Sequence, residues 1–590
     1  MLESSLKFKG KKDFLGVITL SLAVAVIAGV LSWFPAQADV APFGAPVNER
    51  FVDFQSKVKQ ERWPAFSQEG FPLGWRPSPL DTSYTLGFRE TPLQALPSFY
   101  DLREQEKLTS IRNQGNCGSC WSFATYGSLE SFLLPGEEHD FSEQNMIDYH
   151  GFDWGPCEGG NIDIAVAYLS RWSGPVNESD DPYQYTSLAA YPVRKHVQEV
   201  LFLPPRKNSK DNSKIKQAVM NLGAVYTSMY WVSNYYNPVH NAYFNPDDES
   251  GGHAVTIVGW DDNFSKNKFT QIPPGDGAFI VRNSWGKNWG NGGYFYVSYY
   301  DEYFARKGFN AVVTAEPTSG YLTNYYYDKY GWTWSLGYGS ETAWFANIFT
   351  AKNNIPLTAV GFFVAGESNE YEIYVYRNIS SGNPRGGNLV RKETGVIQEP
   401  GYYTVDLKKS LSIIKGQKFS VVVKLKTKGY KWPIPIEYPW GDYSSKAKAS
   451  SGQSFISSNG SSWSDLHTVS SGAYANSNVC LKAFSGFPLL YPPANASLER
   501  LENDFIFFKE YINHLTWEDN PKNKTQILSY RIYRKEKNAP ESAFQLLTEV
   551  NPDIFSFYDR GLGRNDYFTY RITCFDEYNR ESDPVDISND

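Results

Sequence analysis

The stretch Asn113-Gln114-Gly115-Asn116-Cys117-Gly118-Ser119-Cys120-Trp121-Ser122-Phe123-Ala124 passes from a glycine-bearing loop straight into a segment that reads as a helix from Cys120 to about Phe132. A cysteine on the first turn of a helix faces unpaired backbone N–H groups and the positive end of the helix dipole, which favour a thiolate over a thiol. A thiolate is a nucleophile. Gln114, six residues upstream, can bring its side-chain amide to the same point as the Cys120 N–H, and two donors there would hold a developing oxyanion. Gly115 and Gly118 let the loop turn tightly enough for this. Cys117-x-x-Cys120 also fits a redox or zinc pair. Neither of those requires Gln114, nor the histidine and asparagine found downstream.

His253 opens the β-rich run Gly251-Gly252-His253-Ala254-Val255, and Asn283 begins Asn283-Ser284-Trp285-Gly286. With Cys117-Gly118-Ser119-Cys120-Trp121, these segments resemble the active-site segments of papain-like cysteine peptidases. A histidine beside a β-run is ordinarily structural, but this one lies 133 residues after Cys120, within the spacing of that family. The resemblance implies a catalytic Cys120, His253 and Asn283 with Gln114 in the oxyanion hole. The Asn283 amide oxygen would accept from the His253 ring, turn its other nitrogen to Cys120, and leave Trp285 to shield that bond from water. Asn283 lies 163 residues after Cys120, beyond the family spacing. The polar stretch Asp261 to Pro274 is expected to absorb the excess as an enlarged hairpin loop between two strands.

The same resemblance pairs Cys117 with Cys157 as a disulfide, from the context Pro156-Cys157-Glu158-Gly159-Gly160. It also makes Gly159, Gly160, Asn161, Ile162 and Trp285 substrate-binding, the glycines through backbone groups offered to an extended peptide. A second family bridge is missing, since Ser142-Glu143-Gln144 is followed by Asp148-Tyr149. Cys480 and Cys574 are expected to be buried free thiols.

Helical spacing at Ile162 to Trp172 and Lys214 to Leu222 precedes short β-rich runs at 254–258 and 278–281, an order that fits an α+β two-lobe papain-like domain over residues 96–317. After Thr318 the chain becomes dense in Tyr, Trp, Gly and Ser, with alternating runs such as Glu372-Ile373-Tyr374-Val375-Tyr376. That is a β-sandwich pattern. Residues 318–486 resemble the lectin-like domain that follows papain-like domains in some bacterial and archaeal secreted proteins. Trp332, Trp334, Trp344, Trp432 and Trp440 are there either to stack on sugars or to fill a core. Residues 487–590 resemble a fibronectin type III module, through Leu515-Thr516-Trp517, Tyr530 to Arg534 and Tyr570-Arg571-Ile572. Phe568 stands where a corner tyrosine is expected. The fold class is thus a papain-like two-lobe domain followed by two all-β sandwiches.

At the N-terminus, Lys7, Lys9, Lys11 and Lys12 precede an apolar run from Phe14 to Phe34, and Ala36-Gln37-Ala38 supplies a signal-peptidase pattern, so residues 1–38 read as a signal peptide. The alternative is an uncleaved membrane anchor. Either way the protein is secreted or on the cell surface. Residues 39–95 occupy the place of a prosegment, with an amphipathic stretch near Phe51 to Trp63 and a turn-rich Gly74 to Pro79 segment; the long helical motif of many papain-family propeptides is not evident, and the alternative is a plain ordered arm. A net charge of -8 argues against a nucleic-acid partner. The reading is a secreted cysteine endopeptidase acting on polypeptides through a covalent acyl-enzyme, needing no metal or cofactor, with C-terminal modules for a cell-surface or carbohydrate ligand. Its competitors are a surface adhesin on an inactive papain-like scaffold, and an acyl-transfer enzyme of transpeptidase type. Because Gln114 to Asn283 hold every catalytic position, a chain ending near Pro317 is expected to keep cleavage of short peptides.

Overall fold

The computed structural model describes residues 41–60, 64–87, 95–184, 191–247, 249–380, 382–487 and 489–588. The signal peptide expected over residues 1–38 lies outside them. Among the described residues no helix is long and apolar enough to cross a membrane.

The helix Cys120–Leu133 is buried on every face from Cys120 to Ser131, because its small residues Ser122, Ala124, Gly127 and Ser128 let neighbouring strands close around it. It packs against Val225–Tyr230, Gly252–Asp261 and Asn310–Glu316. The helix Ile162–Ser170 starts where the Asn161 side chain accepts the Ile164 N–H, at 3.1 Å. Two strands, Gly252–Asp261 and Ala278–Arg282, pair antiparallel and carry His253 and the approach to Asn283. The long connection between them holds the short 3-10 turn Lys266–Lys268 as an enlarged hairpin loop.

That sheet does not stop at residue 317. Its thirteen described strands run from Tyr236–Asn237 through the strands around His253 to Asn310–Glu316 and His196–Leu203. They continue into Gly401–Leu411, Leu357–Val364, Leu481–Gly486 and Tyr321–Tyr325. The seam pairs Gly401, Tyr402 and Tyr403 with Leu201, Val200 and Glu199. Gly401 has φ of 152° there, and a Cβ on it would lie 2.2 Å from the Val200 carbonyl oxygen, so only glycine lets the strands meet. Behind the seam one apolar core contains Ala167, Phe202 and Phe309 together with Tyr330, Trp332, Phe363, Tyr402 and Tyr443. The Arg171 guanidinium crosses to the Lys329 carbonyl at 2.8 Å.

A six-stranded sheet, ordered Asn388–Ile397, Glu367–Arg377, Lys418–Lys428, Thr342–Thr350, Ser454–Ser457, Ser464–Asp465, faces the far end of the long sheet across a second core. Residues 494–588 form a separate sandwich. Its three-stranded sheet is Ala494–Asp504, Lys509–Glu518 and Ser556–Leu562, and its four-stranded sheet is ordered Gln545–Val550, Ile527–Glu536, Phe568–Asp576, Val585–Ser588. Trp517, Tyr530, Ile532, Tyr570 and Ile572 make its core. Phe568 packs under the Arg534 guanidinium, and the buried phenol that crosses between the two sheets is Tyr570, bonded to Asp559 at 2.6 Å and to Asn513 at 2.7 Å.

The described residues before residue 96 form a strap. Phe43–Gly44 adds a strand to Trp334–Gly337 of the lectin-like region. The helix Glu49–Lys59, capped by the Asn48 side chain on the Arg50 N–H, sets Phe51 against Trp440 and Tyr443 and Phe54 against Trp154. Trp334 donates to the Ala45 carbonyl at 3.0 Å, and Trp432 meets the edge of Phe43. Three of the five tryptophans singled out above are therefore in contact with the strap, while Trp332 is core.

Candidate active site

Cys120 is the first residue of its helix and is fully buried. Its Sγ accepts the Ala254 N–H at 3.3 Å, so the residue after His253 is docked onto the sulfur. His253 Nε2 lies 2.8 Å from Asn283 Oδ1. A carbonyl oxygen only accepts, so Nε2 carries the hydrogen and the neutral ring presents Nδ1 as a lone pair. That Nδ1 is buried and makes no hydrogen bond. Trp285 stacks on the ring, 4.6 Å between centroids at 24°.

Gln114 is held from both sides. Its Oε1 accepts the Ser284 hydroxyl at 2.6 Å and its backbone N–H donates to the Ser284 carbonyl at 2.8 Å. Its Nε2 donates to the Cys117 carbonyl at 2.8 Å and reaches the Pro72 carbonyl at 3.4 Å. Ser284 also donates its N–H to Asn283 Oδ1 at 2.8 Å. One serine thus ties the Gln114 amide to the asparagine that is bonded to the imidazole. Sequence reading passed over Ser284, since a serine after Asn283 has many ordinary uses in a turn.

Cys117 and Cys157 are disulfide-bonded, 4.7 Å apart between Cα atoms, and fasten the loop before the helix to the glycine pair. Cys120, Cys480 and Cys574 are buried free thiols. Gly160 offers both backbone groups: its N–H donates to the Gly74 carbonyl at 2.8 Å, and its carbonyl accepts the Arg76 N–H at 2.9 Å. Gly159 has φ of 103°, and a Cβ there would lie 2.6 Å from the Gly74 carbonyl. Asn161 caps its helix and donates to the Arg76 carbonyl at 3.2 Å, and Ile162 is buried in the core that also holds Trp75.

The partner of these groups is the chain's own segment Pro72 to Arg76, which corrects the expectation of a turn at Gly74 to Pro79. Arg76 precedes a proline, which disfavours helical and turn geometry and extends the backbone. Gly74 lets the segment pass where a Cβ would stand 2.0 Å from the Gly118 carbonyl. Trp75 is buried edge-on against Tyr230, and its N–H donates to the Gly252 carbonyl at 3.1 Å. Trp75 and Gly160 bridge in parallel.

Burial under this cover decides the electrostatics. It pushes the Cys120 thiol up to about 11, against the opposing hydrogen bonds from Ala254 and Gly74 and the nearby Arg76 charge. It pushes the His253 ring down to about 4, with the Asn283 bond opposing. The expected thiolate is therefore a neutral thiol in this form, because loss of water outweighs the helix N-terminus. Among the described residues no group of three or more His, Cys, Asp or Glu side chains is placed to hold a metal ion.

Residues 96–310 match the family described as Papain family cysteine protease, and residues 324–485 match the Lectin like domain. The chain carries a papain-family peptidase domain and a lectin-like domain. Over 218 residues it is 32% identical to a cysteine protease of Blomia tropicalis, covering 34% of this chain and 61% of that protein. Over 229 residues it is 30% identical to procathepsin L of Rattus norvegicus, covering 36% and 63%. The chain thus spans about three fifths of the length of these curated relatives. Among solved structures it is similar to the cysteine protease and lectin-like domains of Cwp84, a surface layer associated protein of Clostridium difficile. That likeness has a TM-score of 0.64 and 24% identity, and covers 76% of this chain and 99% of the other. Cwp84 after propeptide cleavage gives a TM-score of 0.58 at 26% identity, covering 66% and 100%.

Proposed function

We propose that the chain is a secreted cysteine endopeptidase, folded in a latent form with residues 39–95 as its prosegment. The observation that carries the reading is the imidazole held by Asn283 at 2.8 Å beside Cys120, with the Gln114 amide held by Ser284, the residue after Asn283. Latency is supported by Pro72 to Arg76, which use the Gly160 backbone groups that a peptide substrate would use. The same segment passes against Gly118, two residues before Cys120.

Once the segment leaves, water returns and both buried groups regain access to their charged forms. His253 Nδ1 takes the Cys120 proton, and the thiolate attacks a peptide carbonyl carbon. The oxyanion is held by Gln114 Nε2 and the Cys120 N–H. His253 returns the proton to the departing amine as the C–N bond breaks, leaving a thioester. Water, deprotonated by His253, then releases the acid and restores the thiol. Gly159, Gly160, Asn161, Ile162 and Trp285 would line the cleft, and Ser284 would position Gln114 and Asn283.

The lectin-like domain and a terminal module of fibronectin type III character would bind a cell-surface or carbohydrate ligand. A surface location draws support from the Cwp84 likeness and from the apolar run at residues 14–34. An adhesin on an inert scaffold has no use for four intact catalytic groups. Intact-mass analysis of exported protein with a thiol-directed epoxide tests the reading: one label on Cys120 after the prosegment is lost, none before. Cys120→Ala should abolish peptide cleavage with the fold unchanged, and Asn283→Ala should reduce it less, since that residue orients the base and is not consumed. Cleavage retained by Cys120→Ala ends the peptidase reading.

A further inference from the structure

The terminal sandwich ends in a hairpin whose tip has no folding role. Strands Ala494–Asp504 and Lys509–Glu518 are joined through Phe505-Ile506-Phe507-Phe508. These four side chains are 49%, 94%, 94% and 63% exposed. A tight hairpin turn ordinarily takes Gly, Asn or Asp for its backbone geometry. Here the two turn residues are Ile506 and Phe507, outside the sandwich core. The Phe505 N–H donates to the Phe508 carbonyl at 2.9 Å, and their rings stack at 4.7 Å, so the knob is preformed.

Its surroundings narrow the partner. Directly behind the tip Lys509 pairs with Glu502 and lies 3.7 Å from Asp504, and Asn503 donates to Glu510 at 3.2 Å. A sharp polar collar therefore follows the apolar residues. Large apolar side chains bury about 150–250 Å² each when complete. Four of them, two almost fully exposed and two about half exposed, fall short of the about 800 Å² per partner of a standard protein interface. They also carry no polar atom to set a register with a protein. A bilayer asks for neither. Apolar groups of an interfacial element need to enter only about 5–10 Å, into the headgroup and acyl boundary. The position suits this. Ala494–Asp504 has 11 residues, so at about 3.3 Å each it carries the tip some 36 Å from the linker to the lectin-like domain.

We propose that the Phe505 to Phe508 tip inserts into the interface of a lipid bilayer and anchors the distal end of the molecule there. The insertion is apolar, because the collar has both signs and the chain's net charge of -8 gives no attraction to anionic lipid. The test uses protein beginning at Asp39, which keeps every described residue and removes the apolar run at 14–34 that would itself bind lipid. Flotation with phosphatidylcholine vesicles should carry the protein upward in low and in molar salt, with no gain from added phosphatidylglycerol. The double variant Ile506→Asp, Phe507→Asp should reduce the floated fraction about ten-fold or more, whereas Ile506→Leu, Phe507→Leu should retain it. Unchanged circular dichroism and melting show that the variant is folded. Failure of the parent protein to float, equal flotation of the Asp variant, or release by salt overturns the proposal. So does a dimer in light scattering that the Asp variant dissolves without any flotation, which would assign the tip to a second copy.

Discussion

The molecule has two inter-domain junctions, and they are built differently. Between the peptidase and lectin-like domains a single sheet continues through Tyr402 and Val200, and one apolar core holds Phe202 and Phe309 with Trp332 and Tyr443. Between the lectin-like domain and the terminal sandwich no described strand pairs across, and the Phe487 ring meets Tyr578 at 5.1 Å beside polar contacts. Ser410 meets Tyr578 at 2.6 Å and Lys524 pairs with Asp406, beside a cavity of about 720 Å³. A domain is defined by its own core. By that criterion the peptidase and lectin-like regions each have a core of their own and are joined by a third that they share, whereas the terminal sandwich has only its own.

The largest effect should come from cutting at each junction. A chain ending near Pro317 would expose the shared core and should fail to unfold cooperatively or to cleave a short peptide. A chain ending near Phe487 should keep both properties. This reverses the expectation drawn from the positions of the catalytic residues alone, and a soluble, active chain ending at 317 would break the comparison.

Next is Trp332→Ala. Truncating a buried tryptophan costs about 3–5 kcal/mol. If the core is shared, hydrogen exchange in the helix Cys120–Leu133 should accelerate, although Trp332 lies in the other domain. Unaltered exchange there would mean that the two domains open separately.

The strap that spans the first junction gives a third test. With the Cys120 thiol raised from 9.0 to about 11, the thiolate at neutral pH is about 100-fold scarcer than for an ordinary thiol. Alkylation of the full chain should therefore be slow near pH 7 and rise about ten-fold per pH unit until pH approaches 11. Phe51→Ala, which loosens the strap from Trp440 and Tyr443, should speed it at fixed pH. Identical rates with and without Phe51 would show that the strap helix and the cleft cover act independently.

The smallest effect belongs to the second junction. Lys524 is well exposed, and surface ion pairs contribute about 0–1 kcal/mol. Lys524→Ala should leave the melting temperature of the peptidase unit unchanged. A shift larger than that of Trp332→Ala would invert the comparison.

Much of the site was legible because its parts are local. Cys120 at a helix start, His253 opening a strand and Asn283 before Trp285 each sit in a short distinctive segment, and the hairpin loop after Asp261 lies where the long spacing placed it. The seam was not legible. Val200 and Tyr402 pair across some 200 residues, and both strands carry buried apolar residues that announce a sheet without naming a neighbour. The cover was hidden for another reason. Gly74 and Pro77 read as turn residues, and only the proximity of the Gly118 and Gly160 backbones turns the same residues into an extended strand. Cys120 was read as a thiolate because a helix N-terminus is visible in sequence and the water excluded by a distant segment is not.

The cover has a consequence for how the chain acquires its covalent structure. Two sulfurs, Cys117 and Cys157, must lose electrons to join, while a third, three residues from Cys117, must keep its own. In an oxidising compartment nothing in the order of residues tells the correct pair from the wrong one. Gly74 lies against Gly118, between the bridged cysteine and the free one, and Cys120 is sealed beneath the same strand. Once folded, the molecule sorts its sulfurs by access, so the fidelity of the bridge and the integrity of Cys120 depend on one short piece of chain, Pro72 to Arg76.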